Sequence, residues 1–119
     1  MSTWVYSNWI ETTAENSGDV ARHPLDLELF LANHLIKVSA SSTAAGKIGR
    51  IHRISSEDGE IDGTHYNFPQ TQETRNFVSN LFTINCPSER GIEIVRLLSG
   101  FYRQRGYEEV TAAETCKWE

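Results

Sequence analysis

Strand formers crowd Trp4-Val5-Tyr6-Ser7-Asn8-Trp9-Ile10 and predict a strand. Trp4 and Trp9 have opposite parity, so one should pack inside while the other covers an edge or faces solvent. Residues 12–22 read as a polar loop, with Asn16-Ser17-Gly18-Asp19 as its breaker. Pro24 stands where a first helical residue belongs, and Asp26 and Glu28 follow in the first turn. Leu27, Phe30, Leu31, Leu35 and Val38 fall at helical spacing. Leu25, Leu27, Leu29 and Leu31 also alternate as a strand would, but the length of the run and its proline-acid start favour a helix over 24–38. Ser39 to Gly46 is small and polar and reads as a mobile loop.

Two β-rich runs, 48–54 and 61–68, flank Ser55 to Glu60, and Asp58-Gly59 between them signals a hairpin. Residues 71–80 fit a short helix or an extended segment equally. Leu81 to Cys86 reads as a strand, and Pro87-Ser88-Glu89 opens a helix over 87–105. Ile92, Val95, Leu98 and Tyr102 make one face of that helix, with Ile94, Leu97 and Phe101 beside it. Gly106 stops it, and Arg103 and Arg105 suit its negative end. A closing strand follows from Glu109 toward Trp118. The pattern predicts a single α+β domain over 1–119, with a mostly antiparallel sheet of 4–5 strands packed by two helices.

Length and composition agree with one globular domain that needs no metal or disulfide staples. No apolar run reaches the length of a membrane span, and Met1 to Glu11 lacks the basic and apolar regions of a secretory signal. Cys86 and Cys116 read as free thiols in a reducing cytoplasm, with a single bridge as the alternative. The net charge of -5 disfavours a nucleic-acid partner. Charge is nevertheless segregated. Residues 29–56 hold Lys37, Lys47, Arg50 and Arg53 and no acid, whereas 57–62 hold Glu57, Asp58, Glu60 and Asp62 and no base. Such poles steer partners without naming one.

Several motifs come near a chemistry and stop short. Asp58, Glu60 and Asp62 with Gly63 have the spacing of the first half of an EF-hand calcium loop, but Pro69 stands at the bidentate twelfth position. A solvated hairpin tip explains these acids without a metal. Cys86 ends a strand just before a helix, where amides favour a thiolate, so a thiol-dependent enzyme is one alternative; Arg90 follows too closely for a phosphate-cradling loop. His23, His34, His52 and His65 match no zinc spacing. Lys47, Arg50, His52 and Arg53 form a basic segment without a phosphate-loop pattern. With Arg75 they are the candidate residues for a phosphate-bearing or nucleotide ligand. Trp4 and Trp9 are the candidate aromatic anchors for a protein partner.

Segregated charge, aromatic ends and the lack of a catalytic constellation lead to one expectation above the others. The chain should be a small non-enzymatic protein-interaction module of the inhibitor, immunity or adaptor kind. No cofactor is expected. A homodimer is open on the same grounds, since edge strands need covering.

Overall fold

The computed structural model describes residues 2–44, 50–67 and 77–115, and of Ala44, Arg50, Tyr66 and Asn67 the backbone alone. Six strands and two helices follow in the order β1 (Ser2–Glu11), α1 (Ser17–Asn33), β2 (Val38–Ala44), β3 (Arg50–Ser56), β4 (Ile61–Asn67), β5 (Phe77–Cys86), α2 (Ser88–Gln104) and β6 (Glu108–Thr115). The strands form one sheet in the order β2-β3-β4-β5-β1-β6, antiparallel at every junction. Both helices lie on one face. α1 packs over the β2 side, and α2 lies across β1, β5 and β6.

Strand parity decides what is covered. In β1, Trp4, Tyr6, Asn8 and Ile10 turn toward the helices; in β5, Val78, Asn80, Phe82, Ile84 and Cys86 do. They meet Leu27 and Leu31 of α1 and Ile94, Leu98, Phe101 and Tyr102 of α2 in one continuous core. Gly63 of β4 is needed there, because a Cβ would run into the Phe82 ring. Gly91 of α2 likewise makes room for the Trp4 indole. Among the described residues, the opposite face of the sheet carries no helix.

The β3–β4 hairpin turns where Asp58-Gly59 predicts, with Gly59 at φ 78 and its N–H bonded to the Ser56 carbonyl at 3.1 Å. The second helix ends as expected. Gly106 takes φ 86, and the Gly106 and Tyr107 amides bond the Arg103 and Tyr102 carbonyls.

Two elements differ most from the sequence expectation. α1 covers Ser17–Asn33 rather than 24–38, so the polar loop ends earlier and Pro24 lies inside the helix. The Val20 carbonyl, which residue 24 would normally bond, instead accepts from His23 Nδ1 at 3.1 Å, so the proline leaves no orphan. Val38 begins a strand, and Ser39 to Ala44 of the stretch expected to be a mobile loop form β2, a strand beyond the 4–5 expected, while 45–46 lie outside the described residues. Its serines and alanines show no apolar period because an outer strand buries little. No helix among the described residues is long and apolar enough to cross a membrane.

Candidate functional site

The expected basic segment is only partly described. Lys47 and Arg75 lie outside the described residues, and Arg50 is described by its backbone. Arg53 is exposed on the open sheet face, where its fork meets Asp62 through Nε to Oδ1 at 3.2 Å and Nη2 to Oδ2 at 3.0 Å. The sequence places no acid within the segment, but the hairpin brings one beside it. That pairing occupies the guanidinium a phosphate would need. His52 points the other way, toward the helices, with its ring centroid 5.4 Å from that of His65. The candidates are thus divided between two faces of the sheet.

The acids of the hairpin also part company. Asp58 accepts from the Glu60 amide at 3.0 Å, which lowers its pKa. Glu60 meets Arg90 Nε at 3.3 Å, and Asp62 is taken by Arg53. Among the described residues no group of three or more His, Cys, Asp or Glu side chains could hold a metal ion. Cys86 is a buried free thiol, and Cys116 lies outside the described residues. Burial and the Glu60 carboxylate push its pKa up, against the thiolate that a nucleophile requires.

Beneath the helices lies a polar network that sequence reading missed. His23 Nδ1 donates to Val20, so its Nε2 accepts from the Tyr102 hydroxyl at 3.0 Å. The His65 ring sits 4.2 Å away, centroid to centroid. His65 Nδ1 donates to Asn80 Oδ1 at 2.7 Å, Asn80 Nδ2 to Asn8 Oδ1 at 2.8 Å, and Asn8 Nδ2 to the Tyr6 hydroxyl at 3.2 Å. All four of His23, His65, Asn8 and Asn80 are buried. Burial pushes the His23 pKa down to about 3 and that of His65 to about 4, and each ring's neighbouring imidazoles add to the effect. Burial, aided by Glu109, raises Tyr6 to about 12. These groups are neutral near pH 7 and have hydrogen-bond partners, so they knit β4, β5 and β1 together beneath the helices. The missed signal was parity: Asn8 and Asn80 occupy core positions in their strands and stand opposite each other in the β1–β5 register.

The two tryptophans divide as their parity requires. Trp4 is buried against Gly91 and is unavailable as a surface anchor, which corrects its candidacy. Trp9 is 38% exposed on the open face and meets Phe77 edge to face, with centroids 5.5 Å apart. Leu81 and Val110 are exposed beside them, and together these side chains line an apolar depression of ≈ 650 Å³. Val110 is brought there by a bulge. The β1–β6 register slips between Ser7 and Asn8, leaving Val110 as the extra residue. Glu108 stands opposite Trp9, and Glu11 lies two residues along the same strand face. Glu108 thus places a carboxylate beside the aromatic and aliphatic groups. Against models of known protein families and against curated proteins, the chain finds no match.

Proposed function

We propose that this chain is a non-enzymatic protein-interaction module, of the inhibitor, immunity or adaptor kind, that works through its open sheet face. The observation that carries this reading is the exposed Trp9–Phe77 pair with Leu81 and Val110 on a face that no helix among the described residues covers. Clustered exposed apolar groups of this kind, rimmed by polar ones, mark binding surfaces more often than isolated ones do. Tryptophan is also enriched among residues that dominate binding energy. Glu108 beside Trp9 favours a partner surface with an apolar centre and a basic group at its rim. A phosphate-ligand role for residues 47–53 gains no support from Arg53, whose fork is held by Asp62.

The test is co-purification from the native host of wild type and of a Trp9→Ala/Leu81→Asp variant, both checked for folding by circular dichroism. Wild type should retain one protein partner, less of it as salt rises, and the variant should lose it. A partner retained equally by both proteins would remove this face from the account.

A further inference from the structure

We propose that the chain forms a homodimer by joining its β2 edge to that of a second copy, with α1 packing on α1 of that copy across the same two-fold axis. This rim lies apart from the Trp9 face, so the two readings stand or fall separately.

β2 is an outer strand of the sheet among the described residues. An outer strand offers a row of backbone N–H and C=O groups to any other strand, and such edges are ordinarily blunted by charge, proline or a bulge. The far edge, β6, is blunted in this way by Glu108, Glu109, Glu114 and the register slip beside Val110. β2 has no charged residue and no proline over Val38–Ala44, and it pairs with β3 without a slip. Ser39 to Thr43 are all exposed, and they pair with β3 on one side.

Beside this edge α1 presents a second apolar stripe. Leu27 and Leu31 face the core, but Leu25 and Leu29 are 63% and 66% exposed. With Ala32, Leu35 and Val38 they line an apolar depression of ≈ 740 Å³. Leu35 is the strongest indication. It is 95% exposed and stands at φ 63, just past the helix, where the Leu35 and Ile36 amides bond the Ala32 and Leu31 carbonyls. Glycine or asparagine is the usual occupant of that left-handed position. A leucine there is unfavourable for the isolated subunit in both backbone and solvation, and it is explained if its side chain is covered.

A partner for this rim must present a strand edge and an apolar helix stripe in matching placement. A two-fold axis through the middle of β2, perpendicular to the sheet, supplies both from the same chain. Antiparallel pairing about Ser41 sets Ser39 opposite Thr43 of the other copy and opposes no like charges. The same rotation runs the helices antiparallel and turns the Lys37 end of one stripe toward the Leu25–Glu28 end of the other, cation to carboxylate. Pairing two β6 edges would instead oppose glutamates, and β2 on β6 would be open-ended and build filaments. Three leucines contribute on the order of 100 Å² each, and the β2 edge with the rest of the α1 stripe must supply the remainder of the roughly 800 Å² per partner of a standard interface.

Sedimentation equilibrium of the full chain, with hydrogen exchange at high and low concentration, tests this. The expected result is a dimer whose β2 amides exchange more slowly as concentration rises. Leu25→Glu/Leu29→Glu, Ser41→Arg and Leu35→Gly should each raise the dimer dissociation constant by at least about tenfold. Leu35→Gly should also raise the melting temperature of the separated subunit. These positions are exposed, and Ser41→Arg leaves α1 untouched should the double variant fold poorly. A monomer at all concentrations, filaments, or capture of a different protein on this rim would overturn the proposal. So would a dimer lost with Leu81→Asp yet kept by the α1 and β2 variants.

Discussion

The imidazole of His23 completes a helix that Pro24 interrupts. Its Nδ1–H serves the Val20 carbonyl, and its Nε2 is left to accept from Tyr102, so one tautomer of the neutral ring satisfies both neighbours. Protonation would reverse the second bond, with Nε2–H donating to the Tyr102 oxygen and the phenolic hydrogen losing its acceptor, and it would bring a charge beside His65. The linkage sign follows. Both folded-state pKa values, about 3 and about 4, lie below the unfolded value of 6.5. The unfolded chain therefore binds more protons on acidification. The contribution is fully present above about pH 6.5 and is lost as pH falls toward 4, at about 1.4 kcal/mol per pH unit for each ring. Urea titrations from about pH 7 to pH 5 should show this decline, and His65→Gln should have a shallower slope. Stability that stays flat over that interval would show that the rings are not buried neutral. Little of this network was legible in the sequence. A polar residue in a strand gives no sign of its face until the register is known, and His23 fell between the stretch read as loop and the expected helix. Trp4 and Trp9 were legible as a divided pair, although not which of them faces outward.

At the scale of elements, the most readable parts are those whose apolar residues fix one face. α2 has such a stripe, a proline before it and Gly106 after it, and its bounds fall within a residue of the expectation at each end. The β3–β4 hairpin was set by Asp58-Gly59 in the same way. α1 was misplaced because Pro24 usually opens a helix, and nothing local reveals that His23 takes over the missing bond. β2 was missed because small residues at an edge carry no period. The α2–β1 contact makes a prediction at this scale. Gly91 lies under the Trp4 indole, so Gly91→Ala must displace that ring despite alanine's better helix propensity. Overpacking of this kind should cost about 1–3 kcal/mol in chemical denaturation. Gly100→Ala, on the same helix with open space around its Cβ position, should instead be neutral or stabilising. Equal effects at the two glycines would contradict the packing described.

For the whole molecule, one face of the sheet is spent on the core, and the other carries no helix among the described residues. Charge on the open face is arranged in two ways. Arg53 and Asp62 pair at one side, while Glu108 stands beside the Trp9 depression at the other. The segregation along the sequence thus survives only in part, since hairpin pairing folds the acidic block back onto the basic strand. What remains is acidic and apolar together, and the proposed basic-rimmed partner follows from it. A photo-reactive amino acid placed at position 81 in the native host tests this claim most directly, with one at Arg96 on the exposed side of α2 as the comparison. The account predicts one dominant protein adduct at position 81 that fades as salt rises, and none at position 96. No adduct at 81, or the same adducts at both positions, would contradict it.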